Sequence, residues 1–362
     1  MGVAAAGAAF GVVSGMDTFR EPLVVGGTEI PRGARATVGL PTAPLYTLAA
    51  MSMPVHVVRG RRDGPRLFVS AAIHGDEILG VEIIRRLLGL KLLDQVRGTL
   101  LAVPVVNVYG YTARARYLPD RRDLNRSFPG SPSGSMAARL AHVFTEEVVA
   151  KSTHGIDLHT GAIDRTNLPQ VRVSLDQEAS VAMARRFRVP LILHANLRDG
   201  SLRQSVLERG VPVLLYEAGE ALRIDERAVR VGLRGVVSVM RGLGMLPESR
   251  TPLPAADPLV ARSSRWTRAE SSGTLRMARD VGDLVEAGEP VGTLTAPLGD
   301  LSRPVLSRDT GVIIGKTQLP LVYEGEALFH VARLDEPDTA EARLDAYDER
   351  LAAWEEPVEA DH

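Results

Sequence analysis

The stretch Leu67-Phe68-Val69-Ser70-Ala71-Ala72-Ile73-His74-Gly75-Asp76-Glu77 decides the fold of this chain. Residues 67–73 form a largely apolar run, which is typical of a buried strand in an α/β sheet. The residues that follow, through Leu88, have the apolar spacing of a helix, so we expect Glu77 to open one. His74 and Glu77 thus stand at a strand-to-helix junction, where side chains three residues apart can converge on one divalent cation.

The alternation of strand-like and helix-like patterns continues to about Met245. It predicts an α/β fold in which helices cover both faces of a mostly parallel or mixed sheet. The predicted strands are 66–73, 99–106, 155–159, 170–174, 190–194 and 211–216, and the predicted helices are 77–88, 135–150, 177–187, 202–209 and 226–243.

Three polar residues fall at the carboxyl ends of predicted strands, where α/β sheets bind their ligands. They are His74, His159 and Glu217. Zinc hydrolases with an open coordination position use two His and one Glu plus water, so His159 is the candidate second His. The competing interpretation of His74 and Glu77 is an ordinary strand-end His followed by a carboxylate that the helix dipole favours.

Composition excludes several classes of protein. With 362 residues and 45% hydrophobic content, the chain can bury a large core and is long enough for two domains. Lys and Arg total 43 against 44 Asp and Glu, a formal net charge of -1, which argues against nucleic acid as the principal partner. Cysteine is absent, which rules out disulfides and thiolate metal sites.

The N-terminal residues are rich in Ala, Gly and Val, but no Lys or Arg precedes them as in a secretory signal. We therefore interpret residues 1–22 as a disordered extension. No apolar run approaches the length of a transmembrane helix, so we expect a cytoplasmic protein without a membrane partner.

The domain organisation follows from changes in residue composition and in the spacing of apolar residues along the chain. Residues 23–245 form the predicted catalytic domain, and 246–262 carry four prolines and form a predicted linker. Residues 263–334 show short strands punctuated by glycines, the mark of a small all-β domain. The acidic tail, 335–362, has apolar residues at helical spacing, which predicts a helix packed on a domain or on a neighbouring subunit of a homo-oligomer. Those apolar residues are Leu344, Tyr347, Leu351 and Trp354.

A loop rich in arginine lies between the second predicted strand and the next helix. It includes Arg114, Arg116, Asn125 and Arg126. Such a loop is either a solvated surface or an anion site. Because the guanidinium fork matches a carboxylate, a metal pocket beside it would suit a substrate with a carboxylate near its scissile amide.

Four motifs together resemble the succinylglutamate desuccinylase/aspartoacylase family, relatives of the zinc carboxypeptidases. In order, they are His74-Gly75-Asp76-Glu77, Asp123-Leu124-Asn125-Arg126, Asp157-Leu158-His159 and Glu217-Ala218-Gly219. The resemblance implies a zinc carboxypeptidase-like α/β fold and a zinc-dependent amidohydrolase that deacylates a small carboxylated amide, such as an N-acyl amino acid. A metallocarboxypeptidase that trims a C-terminal residue from a peptide remains the alternative, because the same carboxylate clamp serves both activities.

The resemblance also implies roles for individual residues. His74, Glu77 and His159 would be the ligands of Zn²⁺, and Glu217 the general base that takes a proton from the zinc-bound water. Arg116 would polarise the scissile carbonyl, while Asn125 and Arg126 would hold the substrate carboxylate. The stretch between Arg116 and Asp123 is longer than in aspartoacylases, so Arg114 stays an alternative to Arg116. Asp157 either orients His159 or is a plain sheet-edge acid.

The C-terminal β domain resembles the lipoyl/biotinyl-type sandwich that follows the catalytic domain in bacterial members of the family. Its only lysine is Lys316, which lacks the flanking methionines of a carrier lysine. We therefore favour a gating or oligomerisation role over a carrier role. A non-catalytic binding module is the third hypothesis, and Glu217 argues against it, since binding alone needs no base.

Overall fold

The computed structural model describes residues 22–249, 258–299, 302–334 and 339–352. Its strands are β1 (Leu23–Val25), β2 (Thr28–Ile30), β3 (Arg35–Thr42), β4 (Met51–Arg59), β5 (Arg62–Ala71), β6 (Arg97–Val103), β7 (His154–Gly161), β8 (Arg165–Val173), β9 (Leu191–His194), β10 (Val213–Glu220), β11 (Leu259–Arg268), β12 (Gly273–Met277), β13 (Leu284–Val285), β14 (Pro290–Thr295), β15 (Ser302–Leu306), β16 (Gly311–Thr317), β17 (Leu321–Val322) and β18 (Ala327–Leu334). Its α-helices are α1 (Leu79–Gly89), α2 (Val108–Ala113), α3 (Met136–Glu147), α4 (Glu178–Phe187), α5 (Leu202–Glu208), α6 (Glu226–Gly242) and α7 (Ala340–Ala352).

A mixed twelve-stranded sheet is the framework of the molecule. Its strand order is β13-β16-β18-β11-β9-β8-β10-β7-β5-β6-β4-β3. Strands β10, β7, β5 and β6 run parallel to their neighbours in that order, and β8 is antiparallel to β10. The predicted mixed α/β fold is confirmed.

Helices cover both faces of this sheet, and β5 shows why. Leu67 and Val69 point into one apolar core, which helices α1, α4 and α6 complete, whereas Phe68 points into a second core with α2, α3 and α5. Strict alternation along a strand buried on both faces produces the continuous apolar run seen in the sequence.

Among the element boundaries that differ from the sequence prediction, two bear on the site and on the domain division. Helix α1 begins at Leu79 rather than Glu77, because the Glu77 backbone N–H bonds to the His74 carbonyl in a turn. Strand β11 begins at Leu259 and pairs in parallel with β9, so the predicted linker 246–262 ends inside a strand. The prolines of that segment indicate a linker, so the short apolar stretch at the start of β11 is not recognised as a strand from the sequence. Residues 250–257 lie outside the described residues.

The C-terminal region is rich in β-structure, as predicted. Strands β15, β14, β12 and β17 form a four-stranded sheet that packs on part of the large sheet around a separate apolar core. Lys316 lies within β16, is 9% exposed, and has its Nζ 2.9 Å from an Asp280 carboxylate oxygen. A buried, paired lysine inside a strand lacks the accessibility that a carrier lysine needs.

The tail helix α7 packs on the α/β domain. Tyr347 and Leu351 are buried in the same core as α6, and Arg227 of α6 pairs with Asp348. Trp354 and residues 1–21 of the predicted extension 1–22 lie outside the described residues. Within the described part of the chain, no helix is long and apolar enough to cross a membrane.

Candidate metal and catalytic site

The loop between β5 and α1 is pinned by a backbone contact. A Cβ on Gly75 would lie 1.9 Å from the Gly110 carbonyl carbon, so only glycine allows the loop to rest on the backbone of α2. This contact helps to hold His74 and Glu77 at the edge of the sheet, facing the end of β7.

The predicted metal ligands meet there. Glu77 Oε1 is 2.6 Å from His74 Nδ1, and Oε2 is 2.7 Å from His159 Nδ1. All three side chains are buried, and their ligand atoms lie within 4.8 Å of one another. Two imidazoles and one carboxylate are the donor set of catalytic zinc sites.

The Nε2 atom of each imidazole contacts a second carboxylate. His159 Nε2 is 2.7 Å from Asp157 Oδ2, and His74 Nε2 is 3.1 Å from Asp123 Oδ1. Metal-binding histidines usually donate their other ring N–H to a carboxylate, which leaves the facing nitrogen free to coordinate. The residues present therefore fit a zinc ion. The contact between Asp157 and His159 favours the first of the two roles that the sequence left open for Asp157, that of orienting the imidazole.

The charges of the cluster stabilise one another. Burial alone would lower the pKa of His74 and His159, but nearby carboxylates outweigh it and raise both. Burial would likewise raise the pKa of Glu77, yet the two histidines hold it well below its usual range. Burial would also raise the pKa of Asp123, but His74 and Arg116 outweigh that effect and lower it. The cluster thus keeps its carboxylates ionised, as cation ligands must be.

Glu217 is the ladder partner of His159 across β10 and β7, so both side chains lie on the same face of the sheet. Its carboxylate receives a 2.6 Å hydrogen bond from Asn167 Nδ2 and lies 2.9 Å from Arg172 Nε. Tyr216 points to the other face and donates to the Ala228 carbonyl.

The arginine loop reaches the metal cluster through Arg116. Its Nη2 is 2.9 Å from Asp123 Oδ2, and its Nη1 is 3.6 Å from Glu77 Oε1. Arg126 and the buried Asn125 line the same cavity. Arg114, by contrast, caps the C-terminus of α2 with left-handed backbone angles, is exposed, and is not among the cavity-lining residues. The position of the two arginines favours Arg116.

A cavity of about 780 Å³ joins these residues. Arg203, which sequence reasoning missed, lines it from the first turn of α5, and its buried Nη1 has no hydrogen-bond partner among the described residues. Burial, with Arg172 and Arg198 nearby, lowers its pKa to about 10. A cation is disfavoured in the first turn of a helix. The position of Arg203 in such a turn was the sequence feature that could have marked it as a functional residue.

The C-terminal region supplies the far wall of the cavity. Trp266 of β11 stacks on His330 of β18 with ring centroids 4.6 Å apart, and the Arg165 guanidinium lies 5.2 Å from the Trp266 ring centroid. His194 also lines the cavity, whereas Tyr323 is exposed elsewhere. These two ring contacts join residues that lie 64 and 101 positions apart in the chain, so no local pattern could have revealed them.

Comparison with known proteins identifies the family. The sequence model of the succinylglutamate desuccinylase/aspartoacylase catalytic domain matches residues 63–243, half of the chain. The chain therefore belongs to the succinylglutamate desuccinylase/aspartoacylase family, as its four motifs predicted.

Among curated proteins, the chain is similar to the N-alpha-acetyl-L-2,4-diaminobutyric acid deacetylase of Halomonas elongata. The two are 27% identical over 253 residues, which cover 67% of this chain and 73% of the relative. That relative is, by its name, a deacetylase.

Solved structures of the family share the fold. A succinylglutamate desuccinylase/aspartoacylase from Rhodobacter sphaeroides superposes with a TM-score of 0.75 at 23% identity, covering 83% of this chain and 96% of that one. The product-bound ectoine utilization protein EutE (DoeB) from Ruegeria pomeroyi gives a TM-score of 0.74 at 22% identity, covering 83% and 95%. These similarities establish the fold alone.

Proposed function

We propose that this protein is a zinc-dependent deacylase that hydrolyses the amide bond of a small carboxylated substrate such as an N-acyl amino acid. The observation that carries the proposal is the buried convergence of His74, Glu77 and His159, with Glu217 on the adjacent strand. His74, Glu77 and His159 would hold the zinc ion, which would lower the pKa of the attacking water and polarise the amide carbonyl.

The protein's own residues provide the remaining chemistry. Glu217 accepts the proton of the attacking water and delivers it to the leaving amine. Arg116, held by Asp123, offers a fixed cation to the oxyanion that develops on the carbonyl. Burial would lower the pKa of Arg116, but Asp123 and Glu77 raise it, so the guanidinium stays charged.

The cavity suits an anionic substrate. Among the described residues, seven arginines and three acids line it. Of the acids, Glu77 belongs to the His–Glu–His cluster, Asp157 contacts that cluster and Glu217 contacts β8. We assign the substrate carboxylate to Asn125 and Arg126, with the unpartnered Nη1 of Arg203 as a further donor. The arginines that line the cavity are Arg116, Arg126, Arg165, Arg172, Arg198, Arg203 and Arg262.

The far wall favours a small molecule over a peptide. An open cleft would suit a chain that extends beyond the site, but here Trp266 and His330 of the C-terminal region border the cavity. The name of the Halomonas relative, a deacetylase of an acetylated amino acid, points in the same direction.

The test is metal analysis combined with a substrate panel. The panel contains Nα-acetyl-L-2,4-diaminobutyrate, N-acetyl-L-aspartate, N-succinyl-L-glutamate and a dipeptide with a C-terminal glutamate. We expect one zinc per chain and turnover of at least one acyl amino acid. Cleavage of the dipeptide alone would establish the carboxypeptidase alternative, and absence of both zinc and turnover would refute the proposal.

A further inference from the structure

Strand β8 holds the Glu217 carboxylate on two sides. Asn167 Nδ2 donates to Oε1 at 2.6 Å, and Arg172 Nε lies 2.9 Å from Oε2. A carboxylate only accepts hydrogen bonds, so the Asn167 amide has to present its nitrogen to Glu217 and its oxygen to the opposite side. The two contacts together restrict the rotation of the carboxylate.

A bulge in β8 is what brings Asn167 to the cavity. Glu217 pairs with Gln170, but Gly219 pairs with Asn167, so β8 carries one extra residue between the two pairs. In a regular strand, Asn167, three residues before Gln170, would face the opposite side of the sheet. The extra residue reverses that orientation, as bulges beside active sites commonly do.

The C-terminal region closes the other side of Asn167. Gly315 of β16 pairs directly with Asn167, and a Cβ on Gly315 would lie 2.5 Å from Asn167 Oδ1. Such a distance is far below van der Waals contact, so any larger side chain at this position would push the amide away. Gly315 itself is not among the cavity-lining residues.

We propose that Asn167 is a positioning residue for Glu217, and that Gly315 acts through Asn167 by leaving space for its amide. The inference rests on the proposed function, because it takes Glu217 as the group that accepts the proton. It gives the C-terminal region a part in the reaction that is separate from lining the cavity.

The inference predicts a specific kinetic pattern. Asn167→Ala removes the hydrogen bond and leaves Glu217 with the ion pair to Arg172 on β8, so the carboxylate turns away from the attacking water. A misplacement of about 1 Å can cost roughly 10²-fold in rate, so kcat should fall about tenfold to hundredfold. KM and zinc content should stay near their wild-type values, because Asn125, Arg126 and the metal ligands are untouched.

A double-mutant cycle tests the coupling between Asn167 and Gly315. Asn167→Ala, Gly315→Ala and the double variant are compared by kcat, KM, zinc content and melting temperature, on the panel compound that the wild type hydrolyses fastest. Gly315→Ala should lower kcat in the wild-type background and cause no further loss in the Asn167→Ala background. The control is Gly273→Ala, whose Cβ would lie 2.7 Å from the Thr295 carbonyl oxygen in the four-stranded sheet. It should lower the melting temperature and leave kcat unchanged.

Each outcome tests a different claim. Multiplicative losses in the double variant would show that Gly315 acts through general packing, which overturns its role. Wild-type kcat in Asn167→Ala, with Glu217→Gln inactive, would overturn the positioning role and leave the proposed function intact. Retained turnover in Glu217→Gln would overturn the proposed function instead. Should Gly315→Ala fail to fold, Asn167→Asp tests the positioning role alone: its carboxylate repels Glu217, and an undiminished kcat would reject that role.

Discussion

Asp157 and His159 lie two residues apart on β7, and Asp157 Oδ2 is 2.7 Å from the Nε2 of that imidazole. Ser70 on the neighbouring strand donates to the other oxygen of Asp157 at 2.8 Å. The strand period of two puts both side chains on one face, and the hydroxyl keeps the carboxylate turned towards the ring. A short stretch of sheet thereby sets the direction in which His159 Nδ1 points.

Loss of this carboxylate should weaken metal binding without removing a ligand. For Asp157→Ala we expect zinc affinity to fall by about 10- to 100-fold, the usual cost of removing such a partner. Competition with a chromophoric chelator measures the affinity. The control is Ser70→Ala, which keeps the carboxylate and should have a smaller effect. Unaltered affinity in Asp157→Ala would make Asp157 a structural acid of the sheet.

Removal of Glu77 should weaken zinc binding more than removal of Asp157 does. Glu77→Ala takes away one of three protein ligands, so the purified variant should contain little zinc by elemental analysis. Glu82→Ala provides a matched control, because Glu82 sits five residues later on α1 and pairs with Arg85 and Arg86 instead. The control should retain its zinc. Normal zinc content in Glu77→Ala would refute the ligand assignment.

Local sequence pattern was enough to locate the central strands and the residues that form the His–Glu–His cluster. Buried parallel strands such as β5 have continuous apolar runs. The three residues of the His–Glu–His cluster lie close to the carboxyl ends of two such strands: His74 and Glu77 follow β5, and His159 lies near the end of β7. The strands near the N-terminus gave no comparable signal, because Gly39 and Pro41 interrupt edge strand β3, and Pro54 interrupts β4.

The two β8 residues that hold Glu217 could not be found in that way. Asn167 and Arg172 reach Glu217 only through the pairing of β8 with β10, and a bulge decides the face on which Asn167 lies. Strand order and bulges are properties of the assembled sheet, which one sequence does not encode locally.

The carboxylate clamp can be tested by comparing two forms of one substrate. Asn125 Oδ1 already accepts from the Leu202 backbone N–H at 2.9 Å, which leaves Nδ2 to donate to a ligand. For Asn125→Ala we expect KM to rise about tenfold for a substrate with a free carboxylate, since a hydrogen bond to a charged group is worth about 1.5–3 kcal/mol. The carboxamide analogue should be much less affected. Equal effects on the two forms would show that the clamp is misplaced.

The tail helix should contribute to stability rather than to catalysis. Tyr347 is 4% exposed and lies in the core shared with α6. Tyr347→Ala should lower the free energy of unfolding by about 3 kcal/mol, in the range of large-to-small core changes. Urea denaturation measures this loss, with the exposed Glu349→Ala as control. Kinetic constants below the melting transition should stay unchanged, and a selective fall in kcat would instead connect α7 to the site.

Replacement of Glu217 separates chemistry from binding. Glu217→Gln preserves side-chain volume but removes the proton acceptor, so kcat should fall by roughly 10²-fold or more. Zinc should remain bound, because Glu217 is not in the ligand cluster, and KM should change little, because Asn125 and Arg126 still hold the carboxylate. The new amide can accept from Asn167 through its oxygen, but its nitrogen then faces Arg172, another donor. That mismatch should cost about 1–3 kcal/mol of stability, measurable by urea denaturation. Lost zinc would make Glu217 a ligand, and retained turnover would assign the base to another residue.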